Sequence, residues 1–169
     1  MKIIAQAVGF LGMAACFMIY QQNERKKLLL WKFIADFLWF FHYVLLGGFS
    51  GAAVCIIAMI RETVYMNEGK KWANKKVWIC ILFALNIPFV ISTWNGIMSI
   101  FPTLASYTAI CAFAMQKPKL TRVLGIPVSV FMIIYDVFTL SIAGIINESV
   151  SITSTIIGFI RHDIKRKKQ

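Results

Sequence analysis

Two aspartates, Asp36 and Asp136, lie inside long apolar stretches of this chain. A carboxylate in hydrocarbon costs about 2.5–3.5 kcal/mol on insertion scales, so it marks a binding or proton-carrying role by default. On a helix, Asp36 shares a face with Lys32 at i−4, Trp39 at i+3 and Tyr43 at i+7. Asp136 has Thr139 at i+3 and Tyr135 beside it. Two roles follow. The pair can line a central polar cavity that takes a polar or cationic solute, or a proton. Otherwise Lys32 neutralises Asp36, and Asp136 pairs with a hydroxyl or another helix. Arg61 and Arg161 form a second pair near helix ends. They either snorkel to lipid phosphates or close a gate against acidic partners. Trp39 falls near the middle of its run, where an interfacial aromatic belt does not explain it, so it packs or stacks on a ligand ring. Asn86, just before Pro88, makes either a ligand contact or a helix–helix hydrogen bond. His42 is an interface residue or a proton relay. The candidate substrate-binding set is Asp36, Trp39, Asn86, Asp136 and Thr139, with Arg61 and Arg161 at the gate or headgroups.

Positioning these residues takes helices. A spanning helix needs about 20 mainly apolar residues. Apolar runs occupy 3–20, 28–46, 50–66, 77–93, 96–115, 123–146 and 149–164. Gly47-Gly48 predicts the break between the second and third. Asn147-Glu148-Ser149 predicts the break between the sixth and seventh. The expectation is an all-α membrane protein of seven transmembrane helices.

The charges set the orientation. The 169 residues are 59% hydrophobic, and 18 Lys and Arg against 7 Asp and Glu give a net charge of +11. Mean hydropathy is +0.73. Basic residues follow the first, third, fifth and seventh runs: Arg25, Lys26 and Lys27; Lys70, Lys71, Lys75 and Lys76; Lys117, Lys119 and Arg122; Lys165 to Lys168. Lys32, Arg61 and Arg161 fall on the same side, leaving Lys2 alone on the other. Lys and Arg are retained in cytoplasmic loops, so the N-terminus is expected outside and the C-terminus inside. This accounts for the basic charge without a nucleic-acid partner. The lipid bilayer is the expected partner. Cys16, Cys55, Cys80 and Cys111 lack metal-ligand spacing and are taken as packing residues. No phosphate-binding loop, zinc-protease or hydrolase motif is present, so neither a cofactor nor enzyme activity is expected.

Residues 28–61 align without gaps on 128–161: Ile34 with Ile134, Asp36 with Asp136, Ile56-Ile57 with Ile156-Ile157, and Ile60-Arg61 with Ile160-Arg161. This predicts two parallel three-helix repeats joined by a linker helix. The boundaries are 1–66 for the first repeat, 67–95 for a cytoplasmic loop and helix four, 96–164 for the second repeat, and 165–169 for a basic tail. Parallel repeats are a known carrier design with the substrate site near the midplane.

Tyr20-Gln21-Gln22, Arg25-Lys26-Lys27, Leu29-Leu30-Trp31, Trp39, His42-Tyr43, Gly47 and Ile60-Arg61 resemble the bacterial inner-membrane family called YgjV-like. That resemblance implies a multi-pass protein of the cytoplasmic membrane. More remotely, the 3+1+3 plan is similar to SWEET-type and PnuC-type carriers, although the Pro-Gln pair of PQ-loop relatives is absent. The expected function is a transporter or facilitator for a small polar metabolite, with its cavity between the repeats. The alternative is a non-transporting scaffold or sensor subunit that uses its basic cytoplasmic face. The design admits a homo-oligomer as well as a monomer.

Overall fold

The computed structural model describes residues 2–20, 24–114 and 118–159, and every regular element among them is an α-helix. These are α1 (Lys2–Tyr20), α2 (Arg25–Leu46), α3 (Phe49–Met66), α4 (Lys75–Ser92), α5 (Ile100–Ala114), α6 (Pro118–Thr139) and α7 (Ile142–Phe159). Three apolar stretches are long enough to cross a membrane: Lys2–Ile19, Lys26–Leu46 and Phe49–Met66. Shorter apolar helices cover Lys76–Ser92, Gly96–Ala112 and Val123–Thr139.

The distribution of polarity is the reverse of that in a water-soluble domain. Large apolar side chains such as Leu11, Phe37, Phe41, Ile87, Ile91 and Val137 point outward, while Asp36, His42, Arg61, Glu62, Asn86 and Asp136 are buried. Helix α2 carries both faces. Phe37 and Phe41, one turn apart, meet edge to face at 5.0 Å on its exposed side. Asp36, Trp39 and Tyr43 line its buried side. Ionisable groups inside and hydrocarbon outside is what a lipid solvent selects.

Helices α1, α2 and α3 pack consecutively, as do α5, α6 and α7, and α4 bridges α3 and α5. The two groups meet where α3 touches α5 and where α1 touches α7. A core of Ala15, Ala35, Trp39, Tyr43, Cys55, Tyr135 and Ala143 runs through both groups. Ile57, Leu82 and Ile110 seal α4 against α3 and α5. Asn74 caps the start of α4, its side chain accepting from the Lys76 N–H at 3.1 Å.

The two sharp corners have one geometry. After α2, Gly47 takes φ +76°, its N–H donates to the Val44 carbonyl at 3.1 Å, and the Gly48 N–H donates to Tyr43 at 2.8 Å. After α6, Leu140 takes φ +55°, its N–H donates to Val137 at 3.3 Å, and the Ser141 N–H donates to Asp136 at 2.9 Å. The following turns also correspond, with Ala52 N–H to Gly48 and Ile145 N–H to Ser141, both at 3.0 Å. Left-handed closure with paired backbone bonds is the ordinary way to end a helix, normally on glycine.

This corrects two expectations. The break between α6 and α7 lies at Leu140-Ser141, and Asn147-Glu148-Ser149 sits inside α7. The corners are 93 residues apart in the chain, so the 100-residue register that matched Asp36 with Asp136 does not follow the helices. By helix position Asp136 corresponds to Tyr43, and Asp36 to Ser129. The matched isoleucines arose because apolar helices draw on few residue types.

Candidate functional site

A cavity of about 140 Å³ lies among the helices. It is lined by Cys16 of α1; Lys32, Asp36, Trp39 and Tyr43 of α2; Cys55 and Arg61 of α3; Ser106 of α5; Met132 of α6; and Asn147 and Glu148 of α7. Both three-helix groups therefore contribute walls. Of the four charged side chains, Lys32, Asp36 and Arg61 come from α2 and α3, and Glu148 comes from α7.

The charges are arranged in pairs. Lys32 Nζ donates to both oxygens of Asp36, at 2.7 and 2.9 Å, from one turn earlier on α2. This helical spacing lets a long cation fold back onto a carboxylate. Arg61 donates through Nε and Nη2 to Glu62 Oε1, at 3.3 and 2.9 Å. Glu62 is completely buried and Arg61 is 4% exposed. A buried charge persists only when another charge or several hydrogen bonds compensate it. Glu148 differs. It accepts from Asn147 Nδ2 at 3.0 Å and takes a hydrogen bond from the Ser129 hydroxyl.

A belt of hydrogen bonds joins the two groups at the corner end of the cavity. Tyr43 OH donates to Asp136 Oδ1 at 2.8 Å, and Tyr135 OH accepts from the Gly51 N–H at 3.0 Å. The Tyr43 and Tyr135 rings pack at 5.8 Å. Gln6 bridges to the other corner, donating to the Leu140 carbonyl at 2.8 Å and accepting from the Ala143 N–H at 3.1 Å. His42 lies 2.7 Å from both the Ala5 carbonyl oxygen and Ser141 Oγ. A carbonyl can only accept, so Nδ1 carries the proton there and Nε2 accepts from Ser141. Ser141 Oγ in turn accepts from the Gly144 N–H at 3.1 Å. Every polar atom of His42 is thus engaged in holding α1, α2 and the α6–α7 corner together.

Close backbone approach makes the belt fit. A Cβ on Gly51 would stand 2.7 Å from Tyr135 Cε1 and 3.0 Å from Tyr43 Cγ. A Cβ on Gly144 would collide with the Asp136 carboxylate and Ser141 Oγ.

The structure separates the residues singled out by sequence. Asp36 and Trp39 line the cavity, and so does Arg61. Asp136 and Thr139 belong to the α6–α7 corner, where Thr139 Oγ1 donates to the Tyr135 carbonyl at 3.2 Å. Asn86 is fully buried in α4 and donates to the Leu82 carbonyl at 2.8 Å, away from the cavity lining. Asp36 and Asp136 are consequently not a facing pair. Arg61 does not snorkel, since its guanidinium is enclosed beside Glu62. Arg161 lies outside the described residues.

Three contributors had gone unrecognised. Glu148 falls in the triplet whose sequence predicts a turn, although an acid within an apolar run is itself a signal. Glu62, next to Arg61, supplies the acidic partner that a gate arginine calls for. Gln6 carries no sequence signal, because its partners lie on the distant α6–α7 corner.

The polar interior, apolar exterior and basic residues gathered at helix ends describe a membrane protein. No curated protein matches the chain significantly, and no solved structure does. A family model does match: Imp-YgjV, described as a bacterial inner membrane protein, over residues 3–166. That span is nearly the whole chain, so the chain belongs to the Imp-YgjV family of bacterial inner membrane proteins.

Proposed function

We propose that this protein is a small-molecule carrier of the bacterial inner membrane. All seven helices cross the membrane, with the corners and the N-terminus outside and the basic loops and C-terminus in the cytoplasm. Residues 1–66 and 96–164 act as two parallel three-helix repeats, 67–95 link them, and 165–169 form a cytoplasmic tail. The contact pattern supports this arrangement. A two-fold axis along the membrane normal would exchange α1 with α5 and α3 with α7, and so the α3–α5 and α1–α7 contacts, both of which occur. The matching corners support the same symmetry. The skewed basic residues support the orientation.

One observation carries the carrier reading: a cavity with charged walls contributed by both groups of helices. A protein that merely scaffolds a partner gains nothing from enclosing Lys32, Asp36, Arg61 and Glu148 around empty space, because each incurs a desolvation penalty. In a carrier these groups replace the water of a polar metabolite. The tyrosine–aspartate belt acts as the outer gate, closed in this conformation. The protein's work is binding and passage of solute rather than catalysis.

Thermal unfolding of the detergent-purified protein against a panel of small polar metabolites tests this. A ligand at 100 times its Kd adds about 2.7 kcal/mol to the folded state. A stabilising solute whose effect is lost in Asp36→Asn or Glu148→Gln is expected. A solute that stabilises both variants as it does the wild type would place binding elsewhere.

A further inference from the structure

We infer that the cavity takes a small organic monocation, an ammonium, on the Glu148 carboxylate. This deepens the carrier reading and rests on it. Lys32 is occupied by both oxygens of Asp36 and Arg61 by Glu62. Glu148 faces the same cavity and receives only neutral donors, Asn147 and Ser129. Among the described residues no cation stands within 4.0 Å of its carboxylate. Both basic groups of the cavity are thus spent on acids, and of the two acids that line it, Asp36 and Glu148, only Glu148 is left over.

The alternative ligand charges fare worse. An anion would have to draw Lys32 from Asp36 or Arg61 from Glu62, leaving a buried carboxylate uncompensated. A neutral solute would leave Glu148 with only Lys32, already bound to Asp36, as a more distant counter-charge. An ammonium supplies that charge and several N–H or C–H donors while both existing pairs stay intact. The remaining walls suit it as well. Trp39 and Tyr43 line the same space, and aromatic rings attract ammonium groups through their negative faces. At about 140 Å³ the cavity has room for a solute of a few heavy atoms. An engineered apolar cavity of about 150 Å³ accepts benzene.

Cys55 lines the cavity and reports on it. Purified protein in detergent is treated with neutral methyl methanethiosulfonate, cationic 2-aminoethyl methanethiosulfonate or anionic 2-sulfonatoethyl methanethiosulfonate. Peptide mass spectrometry follows Cys55, and each rate is normalised to that of a free thiol. The cationic reagent is expected to react about tenfold or more faster than the anionic one at low ionic strength. Glu148→Gln should collapse that ratio, and Glu148→Asp, which keeps the charge, should retain it. Methylammonium chloride should slow the neutral reagent in the wild type relative to sodium chloride. A wild-type ratio near one, or a ratio untouched by Glu148→Gln, would overturn the ammonium site and leave the carrier reading standing. Failure of even the neutral reagent to reach Cys55 would overturn both.

Discussion

At the α2–α3 corner the left-handed residue is Gly47, and at the α6–α7 corner it is Leu140. The backbone bonds that close the two corners are the same. Their surroundings differ. The first corner presents Ser50, whose Oγ lies 2.8 Å from both the Thr93 carbonyl oxygen and Ser99 Oγ. The second presents Asp136 and Ser141, which reach Tyr43 and His42 across the molecule. A leucine at positive φ costs about 1 kcal/mol that glycine avoids. The second corner persists because buried polar bonds hold it. One corner is thus made by local backbone preference and the other by tertiary contacts.

Substitutions that spare or break those contacts should separate the two. Gly144→Ala drives a methyl group into the Asp136 carboxylate and should cost about 3 kcal/mol, read from denaturant unfolding in detergent. Tyr43→Phe removes a bond to a buried carboxylate and should cost about 2 kcal/mol in the same assay. Tyr135→Phe, which loses only neutral donors from Gly51 and Ser50, should cost about 1 kcal/mol. A loss in Tyr135→Phe as large as in Tyr43→Phe would remove the contrast between the corners. The smallest effects have opposite signs. Gly47→Ala should destabilise by about 1 kcal/mol, and Leu140→Gly should stabilise by a similar amount once the strain is relieved. Thermal melting of these two variants side by side would show it.

The same contrast explains what sequence could reveal. Helices α1 to α5 follow from their apolar runs, and Gly47-Gly48 announces the first corner by its chemistry. The second corner carries no such mark, because Leu140 is held from outside. The polar triplet Asn147-Glu148-Ser149 drew the break seven residues too far along, although its polarity serves the cavity. Once α7 was displaced, Glu148 could not be recognised as a site residue. Asp36 and Lys32 were legible as a pair because i,i+4 spacing is local. The Tyr43–Asp136 bond was not, because it joins helices far apart in the chain and only packing brings them together. Asn86 and Thr139 are polar residues in apolar helices whose hydrogen bonds return to their own backbones, a role that type and spacing do not distinguish from ligand binding.

A carrier built in this way opens the cavity between its two groups of helices to each side of the membrane in turn. Cys55 in sealed vesicles of opposite orientation tests it most directly, using an impermeant charged methanethiosulfonate and peptide-resolved mass spectrometry. Modification of Cys55 from the periplasmic face and also from the cytoplasmic face, with membranes intact, is the predicted result. Modification from one face only would contradict it.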